Sequence, residues 1–209
     1  MKTDGIIFDI DGTLWNAVPG VTAAWNEEIE RQGYSYHLTV EMMQPLFGQK
    51  ANTFGDVLFS DLPAEDRHRL AYDCAYSQVE SLRHNGKSIV YDGVKETLDR
   101  LAEHYPLYIV TNADERYVEL LKDYAKIRPY ITDYECDRGI NHTKADNIRL
   151  IIERNGLKTP IYVGDTSLDQ NSAQEAGAIF IWASYGFGVN IKSNYSISSI
   201  KDLPNILKL

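Results

Sequence analysis

Short, uninterrupted apolar runs are the first regular feature of this 209-residue chain. They occupy residues 6–8, 107–110, 161–163 and 178–182, and the first three are followed directly by polar residues or glycine. Strands covered on both faces of a parallel sheet have continuous apolar runs of this length, whereas strands with one exposed face alternate. The pattern therefore predicts four buried strands of a parallel sheet.

Helical periodicity occupies the intervals between these runs. Apolar residues recur at three- or four-residue spacing in residues 94–101, 118–125 and 148–152. Thr143 and Asp146 have the spacing of a capping box, and Gly156 stands where a helix C-cap is expected. Strands that alternate with helices are typical of βα units, so the sequence predicts an α/β class.

Residues 16–86 have helical periodicity and contain no run that resembles a buried strand. One predicted helix starts near Thr39 and is ended or bent by Pro45, and another runs from near residue 63 to Asn85 and Gly86. We therefore expect an α/β core of residues 1–15 and 87–209, with an all-helical domain inserted at 16–86.

Composition and charge narrow the class of protein. The chain has 30 acidic and 21 basic residues, a net charge of −9, which argues against nucleic-acid or anionic-membrane partners. Its two cysteines, Cys74 and Cys136, are too few for a disulfide framework, and we expect two reduced, buried thiols. The sequence has neither a signal-peptide core nor an apolar stretch of about 18 residues, so a cytoplasmic location is expected.

Polar side chains follow the predicted strands where each strand ends. They are Asp9 and Asp11, Thr111 and Asn112, and Asp165 and Asp169, with Lys144 at the start of a predicted helix. Ligands of open α/β sheets bind at the carboxyl ends of the strands, so these side chains are expected to form one site.

The spacing of the acids suggests the chemistry of that site. Asp9 and Asp11 are two residues apart in an extended segment, which places both carboxylates on one side. Adjacent carboxylates repel, so either one of them is protonated or a cation lies between them, and a hard cation such as Mg²⁺ suits this arrangement. With Lys144 and hydroxyl or amide donors for an anion, the set suggests phosphoryl transfer through an aspartyl-phosphate.

These motifs resemble those of the haloacid dehalogenase superfamily. Residues 9–14, Asp-Ile-Asp-Gly-Thr-Leu, resemble its first motif and residues 110–112, Val-Thr-Asn, its second. Lys144 resembles the third, and Asp165 with Asp169 the fourth. The resemblance spans nearly the whole chain and implies a Rossmann-like parallel sheet. The helical block lies where subfamily I members carry an α-helical cap.

Two loops resemble the phosphoglycolate-phosphatase-like branch more narrowly. Residues 91–94, Tyr-Asp-Gly-Val, stand where many relatives have a Pro-Gly-Val turn, and residues 185–188, Tyr-Gly-Phe-Gly, resemble a late Gly-aromatic-Gly loop.

The resemblance implies a role for each catalytic residue. Asp9 is the expected nucleophile, and Asp11 the expected acid and later base. Thr111 and the backbone of Asn112 are expected to hold phosphate oxygens, and Lys144 to neutralise charge on phosphate and nucleophile.

The resemblance also implies a metal site. Mg²⁺ is expected on the side chains of Asp9 and Asp165 and on the main-chain oxygen of Asp11. Asp169 is expected in the outer shell, where it would orient metal-bound waters or Lys144.

Two further residues are candidates for substrate binding. Trp15 stands near a position where many relatives have an acid, at the expected hinge into the cap. Lys50, in the Gly-Gln-Lys segment 48–50, is a candidate for contact with an acidic leaving group.

The expected function is therefore a Mg²⁺-dependent phosphatase of a small phosphorylated metabolite, acting as a monomer or homodimer. A phosphomutase of the β-phosphoglucomutase type shares every catalytic residue and stays an alternative. A non-catalytic module that binds a phosphate ligand on the same fold is the alternative from another class.

Overall fold

The computed structural model describes residues 2–85, 90–139 and 142–209. Contacts between Cα atoms divide the chain into two compact units, one formed by Met1–Asn16 and Val90–Leu209 and the other by Ala17–Ile89. Gly86 and Lys87, where the sequence predicts the second connection between domains, lie outside the described residues.

A parallel sheet forms the centre of the first unit, and its strand order is β3-β2-β1-β4-β5-β6. The strands are β1 (Gly5–Phe8), β2 (Leu107–Val110), β3 (Ile131–Glu135), β4 (Pro160–Gly164), β5 (Ile179–Ala183) and β6 (Ser196–Ile197). Every neighbouring pair is parallel. All residues of β1, β2 and β4 are buried, as their apolar runs predicted. The α/β class with a parallel sheet is therefore confirmed.

Within the part of the chain that the structure describes, the sheet has six strands, and the sequence predicted four of them; the two that it missed are the edge strands β3 and β6. The β3 segment, Ile-Thr-Asp-Tyr-Glu, has only its last residue buried, so it lacks the apolar run that marks a central strand. The β6 strand has two residues, too few to show any period. Both are the outermost strands of the sheet that the described residues form.

The helices of this unit are α5 (Val94–Ala102), α6 (Glu115–Tyr124), α7 (Lys144–Asn155), α8 (Ser167–Ala176) and α9 (Leu203–Leu207). The capping box predicted at the start of α7 is confirmed, because Thr143 and Asp146 exchange side-chain and backbone hydrogen bonds. Gly156 ends the same helix in the left-handed conformation, as predicted. A second capping box, Thr166 with Asp169, opens α8.

In the described residues of the second unit, the regular elements are helices joined by loops. The α-helices are α1 (Val18–Arg31), α2 (Val40–Met43), α3 (Ala51–Leu58) and α4 (Ala64–Asn85). Trp25 anchors their core, since its indole donates to Gln78 at 2.6 Å and its ring packs on Phe54 and Phe59. Thr39 caps α2 and Pro45 lies in the 3₁₀ turn directly after it, which confirms the predicted start and stop.

Both cysteines are free and buried, as expected. Among the helices in the described ranges, none combines the length and apolar character needed to cross a bilayer.

Candidate active site

The loop after β1 presents the first two acids of the site. The amide of Asp9 donates to Val163 of β4 at 2.9 Å, which extends the sheet by one residue. The next turn closes on the carbonyl of Ile10, which accepts from the amides of residues 13, 14 and 15. Gly12 has a φ of 81°, and a Cβ there would overlap the carboxylate of Asp165. Glycine therefore permits the approach of the loop to the end of β4.

Three carboxylates and one ammonium meet at the carboxyl ends of β1 and β4. Carboxylate oxygens of Asp9, Asp165 and Asp169 lie within 4.8 Å of one another, and these residues are at most 1% exposed. Lys144, the first residue of α7, reaches this group with Nζ 2.8 Å from Asp9 Oδ1 and 2.6 Å from Asp169 Oδ1. One buried cation therefore faces three buried acids.

The surroundings of these acids shift their pKa values in different directions. Burial raises the pKa of Asp9 well above its usual range and that of Asp165 to about 7, where the charge of Asp169 adds to the rise. Burial acts on Asp169 too, but its hydrogen bonds and ion pair with Lys144, together with Thr166, hold its pKa below the usual value. Of the three acids, Asp169 is thus the one whose negative charge is best stabilised by neighbouring protein groups.

The cluster has the donor set of a hard-cation site. Asp9 Oδ2 and Asp165 Oδ1 are buried and have no hydrogen-bond partner among the described residues. Unsatisfied buried carboxylate oxygens are costly, and a divalent cation with oxygen ligands would satisfy them. The residues present therefore fit Mg²⁺.

The loop of residues 185–188 holds Asp165 in place. The amide of Phe187 donates to Asp165 Oδ2 at 2.7 Å, while the indole of Trp182 donates to the main-chain oxygen of Asp165 at 3.1 Å. A Cβ on Gly186 or Gly188 would come closer than 3.0 Å to atoms of Asp165, a distance that real Cβ atoms essentially never show. The two glycines let the backbone close around this carboxylate.

Replacing Gly186 by Ala is expected to lower the free energy of unfolding by about 2 kcal/mol, because the new methyl group overlaps Asp165 and the carbonyl of Gly12. Urea unfolding measures the loss. Gly33→Ala is the control, since Gly33 has a φ of 81° and an added Cβ there meets nothing within 4 Å. That control should cost about 1 kcal/mol through backbone strain alone. Since Gly186 has no positive φ, a loss of less than about 0.5 kcal/mol in Gly186→Ala would argue against crowding at Asp165.

The carboxylate of Asp11 lies outside the group of three. Its Oδ1 accepts hydrogen bonds from the indole of Trp15 at 2.9 Å and from the hydroxyl of Tyr117 at 2.8 Å. Burial raises the pKa of Asp11 to about 6, although these two donors oppose the rise. The spacing argument placed the carboxylates of Asp9 and Asp11 around one cation, whereas the structure pairs Asp9 with Asp165 and Asp169. The two buried donors are the physical reason for the difference.

The remaining predicted residues lie in three places. Thr111 and Asn112 directly follow β2, the neighbour of β1, and both are buried. Trp15 is fully buried against Asp11. Lys50 belongs to the helical unit, where it is half-buried at the N-terminus of α3.

Sequence reasoning missed two tyrosines of the site. Tyr117 is 106 residues from the acid it contacts, and Tyr162 reaches Asp169 Oδ1 at 3.2 Å from within β4. Both read as ordinary apolar positions of a helix and a strand. No local signal separates such a tyrosine from a core residue.

Comparison with known proteins identifies a family and relatives that cover most of the chain. The haloacid dehalogenase-like hydrolase family matches residues 6–183. Phosphoglycolate phosphatase from Aliivibrio fischeri is 27% identical over 192 residues, covering 87% of this chain and 84% of the relative. Phosphoglycolate phosphatase from Rhodobacter capsulatus is 29% identical over 191 residues, with the same coverage. A haloacid dehalogenase-like family hydrolase from Streptococcus pneumoniae has the same fold, with a TM-score of 0.79 at 20% identity over 98% of each chain.

Proposed function

We propose that this chain, which belongs to the haloacid dehalogenase-like hydrolase family, is a Mg²⁺-dependent phosphatase of a small phosphorylated metabolite. The observation that carries the proposal is the buried group of Asp9, Asp165 and Asp169 around Lys144 at the carboxyl edge of the sheet. Relatives that cover most of the chain bear the name phosphoglycolate phosphatase, so phosphoglycolate is the first substrate to test.

Asp9, Asp165 and the main-chain oxygen of Asp11 would hold Mg²⁺, with Asp169 behind them on Lys144. Bound there, the ion would supply positive charge to the phosphate oxygens and to the carboxylates around it. The two buried oxygens without hydrogen-bond partners among the described residues, Asp9 Oδ2 and Asp165 Oδ1, support this assignment.

Asp9 is the proposed nucleophile. A carboxylate oxygen of Asp9 attacks phosphorus, the ester bond to the alcohol breaks, and an aspartyl-phosphate forms. Lys144 keeps its proton because Asp169 and Asp9 raise its pKa despite burial, so it faces the nucleophile as a cation. Its Nζ already donates to Asp9 Oδ1 and would neutralise charge that builds up on the phosphoryl group.

Asp11 is the proposed acid and base. It gives a proton to the departing alcohol oxygen, then takes a proton from the water that attacks the aspartyl-phosphate and releases phosphate. A carboxyl whose pKa lies near 6 can serve both steps close to neutral pH.

Phosphate and substrate binding completes the proposal. Thr111 and the backbone of Asn112, at the end of the strand beside β1, are proposed to bind phosphate oxygens. Lys50 is the proposed contact of the helical unit with an acidic leaving group. Trp15 is a candidate for substrate contact, and because its indole donates to Asp11 Oδ1 at 2.9 Å, we propose that it acts on that acid.

Removing the metal is expected to stop the reaction. Hydrolysis of p-nitrophenyl phosphate and of phosphoglycolate should fall at least about a hundredfold in EDTA and recover with excess Mg²⁺, because the acids then lose their counter-ion. The same Mg²⁺ should raise the Tm of the wild type, and Asp165→Asn should abolish most of that rise.

Three outcomes would contradict this reading. An EDTA-resistant rate would remove the metal from the mechanism. Conversion of β-glucose 1-phosphate to glucose 6-phosphate faster than hydrolysis would favour a phosphomutase. If wild type and Asp9→Asn are equally inactive on a broad panel of phosphorylated metabolites, a non-catalytic binding module is favoured instead.

A further inference from the structure

Two buried aromatic side chains donate hydrogen bonds to one oxygen of Asp11. We propose that Trp15 and Tyr117 are positioning residues that reserve Asp11 Oδ1 as an acceptor and so place the transferable proton on Oδ2. The inference rests on the proposed function, because it assigns the atom through which Asp11 acts as acid and base.

The chemistry of the donors fixes which oxygen carries the proton. The indole N–H of Trp15 is a donor only, and it lies 2.9 Å from Oδ1. The hydroxyl of Tyr117 lies 2.8 Å from the same oxygen. A protonated Oδ1 would be a poor acceptor and would leave the buried indole N–H of Trp15, which can only donate, unsatisfied, and this is costly. Oδ1 therefore stays an acceptor, and Oδ2 is left to bind the proton.

Packing holds both donors rigidly. Trp15 and Tyr117 are 0% and 2% exposed, and their rings meet edge to face with centroids 5.0 Å apart. The backbone of Trp15 is fixed on the same loop as Asp11, since its amide donates to Ile10 and its carbonyl accepts from Gly12. Asp114 caps the amide of Tyr117 at 3.0 Å and fixes the start of α6. The carboxyl of Asp11 is thus held from two separate elements.

The arrangement suits both halves of the proposed reaction. In the first half, the proton on Oδ2 passes to the ester oxygen as its bond to phosphorus breaks. In the second half, Oδ2 takes a proton from water as the water oxygen attacks phosphorus and the bond between phosphorus and the Asp9 oxygen breaks, which releases phosphate and restores the Asp9 carboxylate and the proton on Asp11. Because Oδ1 accepts the same two hydrogen bonds when Asp11 is neutral and when it is ionised, neither donor has to turn between the steps.

Leaving-group dependence tests the proposal. Tyr117→Phe and Trp15→Phe remove one donor each and keep an aromatic ring. With an alkyl phosphate, whose leaving group needs a proton, kcat should fall about tenfold or more while KM changes less than about twofold. With p-nitrophenyl phosphate, whose leaving group needs none, release of p-nitrophenolate in the first turnover should stay within about twofold of wild type. Later turnovers should be slow, because water activation still needs Asp11.

Tyr134→Phe is the matched control, since Tyr134 donates to the carboxylate of Glu115 at 2.8 Å away from the catalytic group. This variant should turn over both substrates at the wild-type rate. Unchanged alkyl-ester turnover in Tyr117→Phe, or equal losses on both substrates in the first turnover, would overturn the proposal. If Trp15→Phe does not fold, Tyr117→Phe alone decides. Wild type and Asp9→Asn are measured in the same assay, so equal inactivity of these two identifies failure of the proposed function and overturns both.

Discussion

Replacing Asp9 by Asn is expected to reduce turnover about a thousandfold or more, because the amide side chain of Asn cannot form an acyl phosphate. The variant should nevertheless fold with a free energy of unfolding within about 1 kcal/mol of wild type. Asp9 shares a buried site with two other carboxylates, so losing its charge relieves repulsion, while Lys144 keeps its 2.6 Å ion pair with Asp169. Steady-state kinetics and thermal unfolding without metal check the two parts separately.

Asp133→Asn provides the control for this experiment. Asp133, on β3, is a partly buried acid of the α/β unit. It pairs with Arg154 at 2.8 Å, outside the group of Asp9, Asp165, Asp169 and Lys144. Its loss should change kcat/KM less than about twofold. A large drop in Tm for Asp9→Asn would show that the carboxylate is mainly structural. Mass spectrometry of acid-quenched Asp11→Asn, in which breakdown is slowed, should find the phosphoryl group on the peptide that contains Asp9.

Much of the fold was predictable because its signals are local. A strand buried on both faces must be apolar throughout, and β1, β2 and β4 have that pattern. The capping box of α7 depends on two residues three positions apart, so Thr143 and Asp146 could be identified directly. The edge strand β3 has no such signal, because its exposed positions carry polar residues.

The sequence predicted which charged residues meet at this edge of the sheet, but not how their side chains are arranged. Strand ends at one edge of a sheet meet by topology, which accounts for the meeting of Asp9, Asp165 and Lys144. Which carboxylates share a cation depends on side-chain directions set by distant partners. Tyr117 donates to Asp11 across 106 residues of sequence, and no periodicity of the sequence predicts such a contact.

Asp169 has two structural roles, of which the sequence predicted only one. Asp169 was predicted as a site residue because, together with Asp165, it follows the end of a predicted strand and resembles the fourth motif of the family. In the structure, Asp169 also closes the capping box of α8, where its Oδ2 accepts from the amide and hydroxyl of Thr166. The other oxygen, Oδ1, accepts from Lys144. The start of α8 therefore fixes the carboxylate that binds Lys144.

Replacing Lys144 by Met is expected to damage stability as well as activity, in contrast to Asp9→Asn. The ammonium is 2% exposed and contacts two of the three clustered carboxylates, so its loss leaves buried negative charge without compensation. Removing one partner of a buried ion pair costs about 3 kcal/mol or more, which corresponds to a fall in Tm on the order of 10 °C for a chain of this size. Activity should fall at least about a hundredfold, since the cation beside the nucleophile is gone.

Saturating Mg²⁺ should recover part of the lost stability of Lys144→Met, because a cation on the remaining carboxylates lowers their mutual repulsion. Lys122→Met is the matched control: Lys122 is also largely buried, but it pairs with the single, partly exposed carboxylate of Glu119 at 2.7 Å. Its loss should therefore cost less than the loss of Lys144, and Mg²⁺ should not reverse it. Equal losses that respond equally to Mg²⁺ would mean that the acidic group does not depend on Lys144 for its charge balance. If a buried acidic cluster is balanced by one lysine and one metal ion, Lys144→Met should lose more stability than Lys122→Met, and Mg²⁺ should recover part of that loss.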